Sequence, residues 1–175
     1  MKPHKDDIIR AALYNGLLLE IHYKAGLIIS TRLVQSNGFD STPGLIPYEH
    51  IDVCKLDSSR VSVFRWRVYR LLMDRIPKGT IITYGEIAKS IGSKDYSRAI
   101  GTALSNNPWP IIVPCHRVVL GNGLIGRYNS LSGIVTKSKI LRSEGLEIGN
   151  VGDYDQKNLI KIATEDTDAN NQTKM

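Results

Sequence analysis

The nine residues Ile111-Ile112-Val113-Pro114-Cys115-His116-Arg117-Val118-Val119 constrain this chain more than any other stretch. Five are Ile or Val, so the run belongs inside a core and reads as a buried strand. It also carries a thiol. Burial normally keeps a cysteine protonated and inert, whereas a neighbouring imidazole or arginine favours the thiolate that does nucleophilic chemistry. Cys115 and His116 alone leave both readings open, a small core residue or a nucleophile. Strand geometry narrows the second. Adjacent residues of an extended strand point to opposite faces, so a direct Cys115–His116 hydrogen bond needs an intervening turn or a bridging water. A protease-type dyad therefore fits poorly.

A chain of 175 residues holds one full domain or two small ones sharing a core. No apolar run reaches the roughly 18 residues of a membrane span, so no membrane partner is expected. The start, MKPHKDDIIR, has no signal-peptide apolar core, and the protein is expected to stay in the cytoplasm. In that setting Cys54 and Cys115 are not expected to pair. Neither sits in a CxxC or His/Cys cluster, so no metal is expected. The net charge of +6 is unevenly spread. Residues 1–64 carry seven basic and seven acidic side chains, residues 65–142 thirteen against three, and residues 143–175 three against seven. A central segment near +10 points to a polyanion partner, with a solubilising surface as the plainer alternative.

In chain order, residues 6–12 read as a short helix or frayed entry. Residues 13–23 and 27–35 are rich in β-formers, and Lys24-Ala25-Gly26 between them predicts a hairpin. A turn-rich loop fills 36–44, and a helix is expected within 45–56 after Pro47. Together these make a small α/β N-terminal domain over residues 1–58, with His22 and His50 as surface or strand residues. The apolar spacing of Val63, Phe64, Trp66, Val68, Leu71, Leu72 and Ile76 predicts a helix capped by Ser62 and stopped by Pro77-Lys78-Gly79. Its arginines, Arg65 especially, could touch phosphates. Thr83-Tyr84-Gly85-Glu86 fits a capping box opening a helix over 84–91, closed by Gly92. A second helix is predicted over 97–105, with Ile100 and Leu104 buried. Two short helices around a tight turn, the second carrying Arg98, look like a helix-turn-helix.

Asn106-Asn107-Pro108-Trp109-Pro110 is a rigid link into the cysteine run, and Cys115 lies only 17 residues beyond Arg98. After it come strand and turn over 118–124, with Gly121-Asn122-Gly123 a hairpin signal, and an irregular loop over 127–133. A helix over 134–144 is ended by Gly145. Residues 151–175 form an extension: 146–164 can support a short helix through Leu159, Ile160 and Ile162, and the last eleven residues are expected to be disordered.

From Phe64 to Gly145, the sequence NNPWPIIVPCHRVV, followed by GLIGRY and a helix ending SEG, resembles the O6-alkylguanine-DNA alkyltransferases. The resemblance implies an RNase H-like α/β N-terminal domain. It also implies a mostly α, winged-helix-like DNA-binding and catalytic domain, here 59–150, that carries the helix-turn-helix into the minor groove. It implies double-stranded DNA containing O6-alkylguanine as partner, with O4 of thymine as a second target, a monomer, and no cofactor. In a eukaryote the place would be the nucleus; otherwise it would be the nucleoid. Carried over by position, Cys115 is the nucleophile, His116 takes its proton through a water, and Glu144 orients His116. Asn107 braces the turn between the halves. Tyr84 sits against a phosphate and donates a proton to the departing guanine, and Arg98 fills the space left by the flipped base. Arg65, Gly85, Ser93 and Ala99 join Arg98 and Tyr84 as DNA contacts. Tyr128, the Val118 carbonyl, Ser130 and Ser132 line the base pocket.

Two departures from the family pattern stand out. Asn129-Ser130-Leu131-Ser132-Gly133 replaces the usual serine-glycine-glycine with about two more residues, and Arg127 precedes Tyr128. The rivals are an alkyltransferase-like protein that binds lesions without repairing them, which would lack Cys115, a winged-helix regulator, and a cysteine hydrolase.

Overall fold

The computed structural model describes residues 7–13, 17–35, 46–47, 50–128, 137–149 and 152–161. Its N-terminal part is a four-stranded sheet of β1 (Ile8–Ala12), β2 (Leu17–Lys24), β3 (Leu27–Gln35) and β4 (Ile46–Pro47), in the order β3-β2-β1-β4. Strands β2 (Leu17–Lys24) and β3 (Leu27–Gln35) form the expected hairpin. Ala25 and Gly26 turn the chain with φ of 51° and 81°, the left-handed pair that matches the twist of the flanking strands. Residues 8–12 are not helical. They form β1 (Ile8–Ala12), antiparallel to β2 from Ile8↔His22 to Ala12↔Leu18. Five residues carry too few periods to separate helix from strand, and the edge of β2 decides.

The helix expected within 45–56 is also absent from the described residues there. Ile46–Pro47 (β4) pairs parallel with Ala11 and Ala12. Val53–Lys55 is one 3-10 turn capped by Asp52, whose carboxylate accepts from the Cys54 amide at 3.0 Å. Leu56 then bridges Ile28, and the Asp57 amide donates to the Ile28 carbonyl, so the open edge of β3 captures this segment.

The helices lie where their caps place them. Helix α1 (Val63–Arg75) starts at Ser62, whose hydroxyl accepts from the Arg65 amide. After the short β5 (Ile82–Thr83), Thr83 caps α2 (Tyr84–Ser90) by accepting from the Glu86 amide at 3.1 Å. The reciprocal half of the capping box does not form, because the Glu86 carboxylate pairs with Lys89 instead. A 3-10 turn over Lys94–Tyr96 leads into α3 (Ser97–Ser105), with Ile100 and Leu104 buried as expected. Helix α4 (Lys137–Ser143) ends at Gly145, where φ is 92°.

One apolar cluster joins both halves: Leu19, Ile21 and Ile28 from the sheet pack with Tyr69, Leu72, Trp109 and Val113. Trp109 is fully buried, and its indole N–H donates to the Ile28 carbonyl at 3.0 Å. A second cluster holds Ile81, Val119, Ile125, Leu141, Leu146, Ile148 and Tyr154. Within 146–161 the expected short helix is replaced by bridges Ile148↔Tyr154 and Ile81↔Leu159 and a 3-10 turn over Gln156–Asn158. The open backbone of Ile81 takes Asn158 and Ile160 as partners, which outweighs the weak helical spacing. Ile162 and the last eleven residues lie outside the described residues. No helix among the described residues is long and apolar enough to cross a membrane.

Candidate active site

The cysteine run is not the strand its composition predicts. Trp109 to Val113 makes a turn closed by the Val113 amide on the Trp109 carbonyl at 2.9 Å. It holds Ile111 at φ 77°, a left-handed conformation that costs a β-branched residue about 1–3 kcal/mol. Cys115–Arg117 is a 3-10 turn, and only Val118–Val119 (β6) is extended, parallel to β5. The turn removes the opposed-face geometry expected of Cys115 and His116. Asn107 organises this bend from inside. Its amide nitrogen donates to the Val113 carbonyl at 3.1 Å and to Cys115 Sγ at 3.2 Å, while its oxygen accepts from the Trp109 amide.

Behind the thiol lies a sealed ionic cluster. His116 is fully buried and its Nε2–H donates to Glu144 Oε1 at 3.0 Å. Arg117 clamps the same carboxylate with Nε on Oε2 at 2.9 Å and Nη2 on Oε1 at 2.7 Å, and its Nη1 donates to the Ile76 carbonyl. Burial pushes the Glu144 carboxyl upward, but the hydrogen bonds and charges of His116 and Arg117 prevail and hold it at about 2. The His116 imidazole is held below its ordinary range, because burial outweighs the attraction of Glu144. With Nε2 committed as donor, Nδ1 is the unprotonated nitrogen, and it has no hydrogen-bond partner among the described atoms.

Lys137 is a further buried charge beside the thiol. Its ammonium donates to the Val118 and Ile125 carbonyls, and burial lowers its pKa to about 8. Burial raises the Cys115 thiol above its ordinary value, opposed by the Asn107 hydrogen bond, the Lys137 charge and the Tyr128 hydroxyl. The site therefore spends burial against reactivity and recovers part of it through three named groups.

Cys115 opens on a cavity of about 680 Å³ that is also lined by Tyr84, Asn107, Pro110, Tyr128, Lys137 and, from β3, Arg32. Tyr84 is shared with a second groove of about 800 Å³ along α3, where Lys94, Ser97, Arg98 and Leu120 lie. Burial raises the Tyr84 phenol above its ordinary range. Arg98 and Ala99 are exposed on α3, whereas Gly85, Ser93 and Arg65 are half-buried and line neither space. Val118 is buried, with its carbonyl already accepting from Lys137. Ser130 and Ser132 lie outside the described residues.

Sequence reasoning took the arginine beside the thiol only as a nearby charge and not as the clamp on Glu144, and it missed Lys137 as a member of the site. A signal existed: residues 137, 140, 141 and 144 share one helical face, so Ile140 and Leu141 carry Lys137 and Glu144 inward with them. Among the described residues no group of His, Cys, Asp and Glu is arranged to hold a metal ion.

The short helix pair α2 and α3 thus lies in one unit with a buried cysteine backed by the His116–Glu144 pair. Residues 63–146 match the model of the 6-O-methylguanine DNA methyltransferase DNA-binding domain. Over that segment the chain resembles the O6-methylguanine-DNA methyltransferase family. A methylated-DNA–protein-cysteine methyltransferase of Thermococcus gammatolerans is 45% identical over 93 residues, 53% of this chain and 51% of the relative. The protein of that name from Cricetulus griseus is 36% identical over 107 residues, 61% and 48% of the two chains. The chain spans about half the length of the curated relatives it matches. Among solved structures, the O6-methylguanine-DNA methyltransferase of Pyrococcus kodakaraensis KOD1 superposes with a TM-score of 0.60 at 26% identity, over 79% of this chain and 98% of that one. The Mycobacterium tuberculosis enzyme in complex with DNA gives 0.52 at 26% identity, over 73% and 87%.

Proposed function

We propose that this chain repairs duplex DNA by moving an alkyl group from O6 of guanine to Cys115, irreversibly and once per molecule. The observation that carries the reading is a thiol facing a cavity roomy enough to admit a base, with the Arg117–Glu144–His116 chain behind it. Glu144 fixes His116 with Nδ1 as its basic nitrogen, able to take the Cys115 proton through a bridging water. Lys137 and Asn107 stabilise the thiolate so formed. The sulfur attacks the alkyl carbon, the C–O6 bond breaks, and its electron pair leaves with guanine. Tyr84, a weak acid raised by burial, supplies the proton that guanine takes up. The thioether has no bond for water to cleave, so the protein is consumed.

A base inside the stack cannot reach a recessed thiol, so the nucleotide must flip out. Arg98, exposed on the groove that shares Tyr84 with the cavity, would fill the gap, with α3 in the minor groove. The flanking Gly85, Ser93, Ala99 and Arg65 would contact the backbone. The likeness to the M. tuberculosis complex supports DNA as the partner. This reading includes an RNase H-like N-terminal unit, a winged-helix-like second unit, a monomeric state and a nucleoid or nuclear location.

Incubation with an O6-methylguanine duplex followed by mass spectrometry tests the proposal. One methyl on Cys115, and none in Cys115→Ala, is expected. Methylation at Cys54, or repeated turnover by one molecule, refutes it.

A further inference from the structure

The carboxylate that orients His116 is not held by His116 alone. Glu144 Oε1 accepts His116 Nε2–H at 3.0 Å and Arg117 Nη2–H at 2.7 Å, while Oε2 accepts Arg117 Nε–H at 2.9 Å. The guanidinium thus grips both oxygens in the planar two-bond geometry of strong arginine–carboxylate pairs. The imidazole reaches one oxygen, and that one is shared. A third bond anchors the grip elsewhere in the fold: Arg117 Nη1 donates at 2.8 Å to the carbonyl of Ile76, the residue that closes α1. His116, Arg117 and Glu144 are all buried, so solvent screens their charges little. The charges that bear on the ring are Glu144 and Lys137 from α4 and Arg117 from its own turn, with the Cys115 thiol next to it in the chain. Burial opposes the imidazolium most strongly; Glu144 favours it, and Arg117 and Lys137 oppose it. A histidine facing an unshared buried carboxylate is instead drawn towards the protonated form.

We propose that Arg117 is a positioning residue of alkyl transfer: by holding Glu144 through both oxygens it keeps His116 neutral, with Nδ1 open to the Cys115 proton. This rests on the transfer reading above and deepens it. Glu144 then orients the ring through Nε2–H without capturing it as an imidazolium before the alkylated base arrives. Arg117 is not among the described residues that line the cavity before Cys115, so it acts on the reaction through Glu144 and the ring. In the step, the thiol proton passes through a water to Nδ1 and sulfur bonds to the alkyl carbon. The C–O6 bond breaks, and its electron pair leaves on guanine, which takes up one proton. A ring already protonated has no site for the thiol proton, so reaction at mildly acidic pH depends on Arg117.

The test is the pH dependence of Cys115 methylation by a saturating O6-methylguanine duplex, timed by mass spectrometry. The rate constant reports only folded, reactive molecules, so a smaller folded fraction does not distort it. In the wild type the rate should fall on the acid side only below pH 6.5, the ordinary imidazole value. Arg117→Gln leaves Glu144 to His116 alone, and the acid limb should move up by about one pH unit or more, the effect of one close charge. Arg117→Lys keeps the cation and should hold the limb near its wild-type position. A residue that merely supported the fold would lower the rate at every pH and leave the limb in place. Should Arg117→Gln fail to fold, Arg117→Gln combined with Glu144→Gln leaves neither buried charge without its partner. It is compared with Glu144→Gln alone, and the limb should again lie at higher pH in the protein without Arg117. The proposal is overturned by a limb that Arg117→Gln leaves in place, or that the double variant shares with Glu144→Gln. An equal upward shift in Arg117→Lys overturns it too. A wild type with no Cys115 methylation at any pH is a different result and sinks the transfer reading itself.

Discussion

Glu144, with a side chain only 1% exposed, accepts two hydrogen bonds from Arg117 and one from His116, and its carboxyl titrates at about 2 rather than 4.5. Above pH 4.5 the carboxylate is charged in the folded and unfolded chains alike, and its pairing contributes in full. As the pH falls from 4.5 towards 2 the unfolded chain takes up a proton that the folded chain refuses, so stability is lost across that window. The shift corresponds to about 3 kcal/mol. Urea unfolding of the wild type should therefore show an acid limb of that size, and Glu144→Gln should flatten it. The same variant should be destabilised at neutral pH by about 3–5 kcal/mol, because Arg117 is then a buried cation without its anion. An unchanged acid limb in Glu144→Gln would place the lost stability on other carboxylates.

At the scale of elements, the caps carry most of what was legible. Ser62, Thr83 and Gly145 mark helix ends that the structure keeps, and the Ala25-Gly26 turn fixes the β2–β3 hairpin. Thr83 supports α2, which begins at the cavity residue Tyr84, through a single side-chain bond to Glu86. Thr83→Ala should lower stability by about 1 kcal/mol and the Tm by roughly 2–4 °C, read by thermal unfolding. A loss near zero would mean that packing of Ile87 and Ala88 alone holds the helix. What the sequence hid was decided by partners far along the chain. Residues 8–12 become a strand because β2 offers an edge, and Leu56 is held by Ile28. The bend at Cys115 depends on Asn107 reaching back to Val113. The proximity of Cys115, His116 and Glu144 was legible only through the resemblance, since 28 residues separate His116 from Glu144. Lys137 and the Arg117–Glu144 clamp were hidden because a basic residue looks like surface until the face it shares is known.

For the molecule as a whole, Trp109 is where the two halves meet. Its ring lies edge-on to Trp66 and Tyr69 of α1, with centroids 6.1 Å away in each case, while its N–H holds Ile28 of β3. Two residues along the chain its neighbourhood becomes the strained Ile111 turn, and four further on it becomes the thiol. The sheet, the helices and the reactive sulfur are thus referenced to one indole. Trp109→Ala should cost about 4 kcal/mol, chiefly from the cavity it leaves, since the Ile28 carbonyl keeps the Asp57 amide as a donor. The loss should also be uneven. Amides of β2 and β3 should lose more hydrogen-exchange protection than those of α1 and α3, because the Tyr69 hydroxyl still ties α1 to the Ala103 carbonyl of α3 at 2.7 Å. Trp109→Phe keeps most of the apolar contact and removes only the donor, so it should be milder by about 2 kcal/mol while shifting the same strands. Uniform loss of protection in both halves would show that the sheet and the helices unfold as one unit, held together by the rest of their shared core and not by this residue.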